Sequence, residues 1–162
     1  MSKFFARIKG FTLIEMLVTL TILAILAAAI IPLAKTAVKR EREIELRQNL
    51  RLMREAIDAY KKLADENKIE IEEDTEGYPP DLETLVEGVE VQEEAEEGEE
   101  PGTKIIKFLR RIPKDPMTNS YDWGLLSYQD DHDSDVWGGE NVYDVYTKSM
   151  AAALDGTKYR DW

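Results

Sequence analysis

From Phe11 to Ile31 the chain is almost continuously apolar, and Glu15 is the only charged side chain in that run. As a helix rising ~1.5 Å per residue, the run spans about 32 Å, enough to cross a hydrocarbon layer of roughly 30 Å. The segment before it, Met1–Gly10, is short and basic and ends in glycine. A secretory signal peptide places its small-residue cleavage site after the apolar region. Here the candidate junction, Gly10–Phe11, precedes it. Cutting there removes the basic leader and leaves the apolar helix on the mature chain. The alternative is an uncleaved signal anchor. Lys3, Arg7 and Lys9 flank one side of the run, and Lys35, Lys39, Arg40 and Arg42 flank the other. The positive-inside rule therefore leaves the orientation open.

Glu15 separates the readings. A carboxylate inside an apolar helix costs about 2.5–3.5 kcal/mol on insertion scales, which marks it as a functional candidate. It lies one helical turn after Phe11. If cleavage frees an amine on Phe11, amine and carboxylate carry opposite charges at neighbouring depths. The Glu15 carboxylate of one copy then pairs with the Phe11 amine of the next. The plainer alternative is a glutamate near the interface that snorkels or takes up a proton.

The 162 residues suit one modest domain plus appendages. From Val89 to Pro101 there is almost no core-forming residue, so the globular part is small. Its core is expected from the stretch after Tyr78 together with one face of a helix, and is marginal without neighbours. The formal net charge is −12, and Lys3, Arg7 and Lys9 carry +3 of it, leaving −15 on the remainder. Such a surface repels a phosphate backbone, so no nucleic-acid partner is expected. There is no cysteine, hence no disulfide. His132 is the single histidine and lies among Asp130, Asp131, Asp133 and Asp135. One histidine and no cysteine cannot assemble a His/Cys metal centre or a Cys-His pair, and no GxSxG-type turn appears. No enzyme is expected, and His132 reads as an exposed loop residue.

Beyond the apolar run, Leu46, Leu50, Met53, Ile57, Tyr60 and Ala64 recur at three- and four-residue steps, the stripe of a helix that packs on a core. Glu45, Arg47, Arg51, Arg54, Glu55, Asp58 and Lys61 fall opposite. With Arg40, Glu41, Arg42 and Glu43 they read mostly as a solvated, locally paired face. One continuous or kinked helix from Phe11 to about Asn67 is expected, on the order of 85 Å long. Thr75 to Pro80 is a loop, Asp81 caps a short helix through about Glu87, and Gly88 ends it. Glu90 to Glu100 reads as a mobile acidic surface loop. Ile105 to Ile112 is a short helix or strand, and Pro113 and Pro116 frame an extended turn. Trp123 to Gln129 and Val142 to Lys148 read as strands of an antiparallel hairpin around an acidic loop, Gln129 to Asn141. A further short strand is expected near the end.

The residues Lys9-Gly10-Phe11-Thr12-Leu13-Ile14-Glu15-Met16-Leu17 resemble the prepilin peptidase site of type IV pilins and type II secretion pseudopilins. The resemblance implies cleavage after Gly10, N-methylation of Phe11, and pairing of Glu15 with the Phe11 amine during assembly. Pro32 also fits, because pilins of this type often carry a helix-disrupting proline near the end of the apolar run. A kink or local melting is expected there. Ile112-Pro113-Lys114-Asp115-Pro116-Met117-Thr118-Asn119-Ser120-Tyr121 is similar to a proline-framed turn of the major (G-type) pseudopilins. Tyr143-Asp144-Val145-Tyr146-Thr147 is similar to that family's last strand, and Leu154-Asp155-Gly156 with Asp161-Trp162 to its ending. Glu70 to Glu76 and Glu90 to Glu100 depart from it as loop expansions. The missing C-terminal cysteine pair disfavours the disulfide-looped type IV pilins.

The fold implied is α+β, a long N-terminal helical spine, transmembrane in its first half, packed on a small antiparallel β-sheet domain. Its divisions are a leader over 1–10, a transmembrane and polymerisation helix over 11–34, an amphipathic helix half over 35–68, and a small periplasmic domain with acidic loops over 69–162. The resemblance implies a subunit of a periplasmic pseudopilus that drives type II secretion by self-assembly from the bacterial inner membrane. Its partners would be further copies of itself, prepilin peptidase, an inner-membrane assembly platform and minor pseudopilins. The alternatives are a type IV pilin of a surface fibre and a non-polymerising single-pass membrane protein with a soluble binding domain. No cofactor is required for such a role. Calcium, taking six to eight oxygen ligands, is the one ion the resemblance implies. The matching positions are Asp155 and Asp161, with carbonyls of the Ser149 to Leu154 turn, although Met150-Ala151-Ala152-Ala153 alters the family's spacing. Asp131, Asp133 and Asp135 form a second candidate, and solvated acidic turns remain the plain reading of both.

Overall fold

The computed structural model describes residues 10–72, 74–92 and 102–162. Residues 1–9 of the expected leader and 93–100 of the expected acidic loop lie outside them. The fold is α+β. Among the described residues, helix α1 (Leu13–Asp65) is followed by a short helix α2 (Leu82–Glu87) and four strands, β1 (Val89–Gln92), β2 (Thr103–Ile106), β3 (Gly124–Leu126) and β4 (Asp144–Tyr146). The chain divides into two compact units, Met1–Arg40 and Glu41–Trp162.

The ends of α1 follow from local chemistry. Thr12 accepts the Glu15 N–H on its hydroxyl (3.2 Å) and the Met16 N–H on its carbonyl (3.1 Å). At the other end Asn67 takes a left-handed conformation (φ 54°). Its N–H donates to the Ala64 carbonyl, and the Lys68 N–H donates to that of Leu63, both at 3.0 Å. That pair of bonds is the Schellman arrangement, with asparagine in the place glycine usually holds.

In the second unit the predicted stripe is the core face. Leu46, Leu50, Met53, Ile57, Tyr60 and Ala64 are all buried, joined by Ala56. They pack with Ile69, Leu82, Leu85, Val91, Leu109, Trp123, Val142, Val145, Ala153 and Tyr159. Each fully buried Leu, Ile or Met contributes about 1.5–3 kcal/mol relative to exposure. The core begins earlier than expected, because Ile69 and Thr75 are buried before Tyr78.

Helix α2 starts and stops where its residues require. Asp81 accepts the Thr84 N–H and hydroxyl, both at 2.7 Å, and the Gly88 N–H closes on the Thr84 carbonyl at 2.9 Å. Gly88 has φ 90°, and a Cβ there would lie 2.6 Å from the Ile106 carbonyl oxygen. Glycine alone therefore lets the chain turn from α2 into β1. Strands β1 and β2 pair antiparallel, Val89 opposite Ile106 and Gln92 opposite Thr103. So Glu90 to Gln92 is strand, not loop. Of Ile105 to Ile112, only Ile105 and Ile106 are strand, and the Phe108 and Leu109 N–H groups both donate to the Leu85 carbonyl.

Strands β3 and β4 form the expected hairpin, Gly124 opposite Tyr146 and Leu126 opposite Asp144, but with only three residues each. They end early because other partners claim the flanking backbone. The Val142 N–H donates to the Pro79 carbonyl at 2.8 Å, and Asp130 accepts the Ser127 N–H at 2.7 Å and the Gly138 N–H at 3.0 Å. Those bonds hold the Asp130 carboxyl below the usual aspartate range, the Ser127 bond contributing most. Near the end there is an isolated antiparallel bridge, Ala152 to Lys158, and a single 3-10 turn, Tyr159–Asp161.

Candidate functional site

The N-terminal site is built from Gly10, Phe11 and Glu15. Gly10 precedes α1 and is exposed, and among the described residues a Cβ placed on it would meet nothing within 4 Å. Among the described residues nothing crowds Gly10. Phe11 is 77% exposed. Thr12-Leu13-Ile14-Glu15 has the spacing of a capping box, and the hydroxyl half of that box is formed. Glu15 therefore has two roles. Its N–H holds the helix start, while its carboxylate has no hydrogen-bond or ion-pair partner among the described residues.

Along the first unit, Phe11, Leu13, Ile14, Leu20, Ile25, Ile31 and Leu33 are all more than half exposed. The helix is long and apolar enough to cross a membrane. Its hydroxyls are satisfied within the helix: Thr19 donates to the Met16 carbonyl, Thr21 to that of Leu17 and Thr36 to that of Pro32. In lipid, where no water completes a polar group, that self-satisfaction is required. Pro32 lies inside α1 and, lacking an N–H, leaves the helix one backbone bond short.

A second constellation, in the other unit, ties the C-terminal segment to α1. Glu43 accepts the Leu154 N–H and the Tyr159 hydroxyl, both at 2.8 Å. Burial, then the Glu43 bond, push the Tyr159 hydroxyl up to about 12. The Arg47 guanidinium lies 4.0 Å from the centre of the Trp162 ring, and Arg54 forks onto Asp144 (2.6 and 3.1 Å) while reaching the Trp162 main-chain oxygen at 2.9 Å. Periodicity placed these charged residues on a solvated face. The structure corrects that for Glu43 and Arg54, which are half-buried against the end of the chain, while Arg47 stays exposed beside Trp162.

A third feature escaped sequence reading. Asp115 is fully buried between its two prolines. It accepts the Met117 N–H (2.8 Å), the Thr118 hydroxyl (2.9 Å) and the Thr147 hydroxyl (2.5 Å). The proline-framed turn is thereby bonded to the residue following β4. Only the prolines on either side hinted that this aspartate was more than a surface turn residue.

Of the expected calcium positions, Asp155 is already engaged by protein groups. Asp155 accepts the Thr157 hydroxyl (2.6 Å) and N–H (2.9 Å), and its other oxygen lies 3.7 Å from Arg47. Those bonds, the hydroxyl's first, hold its carboxyl below the ordinary range. Asp135 pairs with Arg160, whose guanidinium also reaches the Ser134 carbonyl at 2.7 Å. Asp131, His132 and Asp133 are exposed. Asp161 and Asp133 do line one groove of about 480 Å³, but Arg54, Lys158 and Arg160 line it with them. Among the described residues no three His, Asp or Glu side chains form a group able to hold a metal ion.

Residues 5–31 match the prokaryotic N-terminal methylation motif, a type IV pilin-like prepilin signal. No curated protein and no solved structure matches the chain. A long apolar N-terminal helix bearing that signal fits a membrane-anchored protein.

Proposed function

We propose that the chain is a structural subunit of a helical filament, the pseudopilus of a type II secretion system, and performs no chemistry of its own. The observation that carries this reading is the arrangement at the start of α1, an exposed Gly10 and Phe11 followed by an exposed apolar helix with a single carboxylate one turn in. Prepilin peptidase removes residues 1–10 at the inner membrane, and Phe11 becomes a methylated N-terminus. The new amine of an incoming subunit pairs with Glu15 of a neighbour. That pairing offsets the roughly 2.5–3.5 kcal/mol cost of holding the carboxylate in lipid. The exposed apolar faces then pack between copies, and the second unit lies in the periplasm. An assembly platform adds subunits below minor pseudopilins. The proline-framed turn and the C-terminal ending, both similar to G-type pseudopilins, favour this filament over a surface type IV pilus.

Mass spectrometry of the membrane-extracted protein should show a chain that begins at Phe11 and carries an added methyl. A chain that keeps residues 1–10 in cells with active prepilin peptidase would sink the reading. Deleting the gene should abolish protein secretion and leave surface fibres and twitching intact. The reverse outcome assigns it to a surface pilus.

A further inference from the structure

Residues Gly102–Lys114 contain Lys104, Lys107, Arg110, Arg111 and Lys114 and no acid. They carry +5 in a chain of net −12, which leaves −17 on the remainder. Among the described residues Lys107, Arg110, Arg111 and Lys114 form no ion pair. Arg110, Arg111 and Lys114 line a groove of about 570 Å³ together with Leu52, Phe108 and Tyr121. Its wall is fixed, because the Asn49 side chain on α1 donates to the Lys114 carbonyl at 3.0 Å. Leu52 and Tyr121 are 47% and 64% exposed, and Glu45 is the single carboxylate among the lining residues.

Clustered cations repel one another, and exposed apolar side chains beside them gain from being covered. A surface that is acidic and offers apolar contact satisfies both at once. A second copy of this chain is such a surface, with −17 outside the basic segment. We propose that this groove is a docking site for a neighbouring copy, whose carboxylates pair with Arg110, Arg111 and Lys114. This deepens the filament reading and rests on it. Opposite charges set register and speed encounter, while Leu52, Phe108 and Tyr121 supply the covered apolar area.

The test uses the full-length chain in its native membrane and a zero-length carbodiimide, which joins a lysine amine to a touching carboxylate. Covalent dimers are cut from a gel and digested. Lys114 should appear joined to an Asp or Glu of this same chain. Lys114→Arg keeps the charge but carries no amine, so it should lose that link. Reversing all three cations, Arg110→Glu with Arg111→Glu and Lys114→Glu, should lower filament yield about tenfold, with Trp fluorescence reporting that the variant is folded. Dimers without a Lys114 link, a link only to another protein, or full yield from the folded triple variant each overturn the groove assignment. If the parent chain still forms filaments in those cases, the filament reading stands alone. A parent that forms neither filaments nor dimers removes both.

Discussion

Asp115→Ala should be among the most damaging single changes in the second unit. The side chain is fully buried and accepts three hydrogen bonds, one from a main-chain N–H and two from threonine hydroxyls. A bond to a charged group contributes about 1.5–3 kcal/mol, and an orphaned buried donor costs about 1–3 kcal/mol. Three bonds on one carboxylate do not add simply, so a loss of about 3–5 kcal/mol is expected. Against a total stability of roughly 5–15 kcal/mol, that is a large fraction. Asp115→Asn should cost less, about 1–2 kcal/mol. Its carbonyl oxygen still accepts the Met117 N–H, and both threonine hydroxyls can turn to accept from the new amide. Thr147→Val removes one donor and should fall near the asparagine variant. The main-chain bridge between Asp115 and Ser120 is untouched by all three changes. Urea titration of the full chain in detergent, followed by Trp fluorescence, measures the series. Trp123 is a local reporter, because it is buried and its indole N–H donates to the Pro113 carbonyl at 2.9 Å. An Asp115→Ala chain within about 1 kcal/mol of the parent would refute this account of the turn.

Glu15→Ala should insert and fold normally, since it removes a cost of about 2.5–3.5 kcal/mol, yet give few filaments in pull-out assays. Normal filament yield would refute the pairing role. Gly124→Ala places a Cβ 2.3 Å from the Tyr146 ring, so it should cost about 1–3 kcal/mol, and an unchanged melting temperature would show that the ring moves freely. Tyr159 has a folded-state pKa of about 12, above its ordinary ~10, so the folded protein holds that proton more tightly than the unfolded chain. Its contribution is intact below pH ~10 and lost as pH climbs toward 12, so stability should fall there, with a shallower slope in Tyr159→Phe. Tyr60 and Tyr78, also raised, mainly by burial, leave some slope behind. With Asp155 already bonded to Thr157, melting curves in millimolar calcium and in chelator should coincide; a rise in calcium that Asp155→Ala abolishes would place a cation at that turn.

The sequence by itself determined whatever depends on spacing along one helix or on a single turn residue. The apolar run, the isolated Glu15, the Leu46 to Ala64 stripe, the Asp81 cap and the Gly88 stop are local, because helix period and capping act over three or four residues. The hairpin was legible in outline for the same reason. Its true ends were not, because Val142 and Asp130 bond to groups distant along the chain or across a loop. Only tertiary structure decided which charges are structural. Glu43, Arg47 and Arg54 look like any solvated helix face until residues 144–162 return onto them. Asp115 looks like a turn residue until Thr147 arrives from 32 residues away. The basic groove likewise needs α1 and the segment after β2 side by side. A charge carries no sequence mark of its partner, since its energy depends on distance and burial, and folding fixes both.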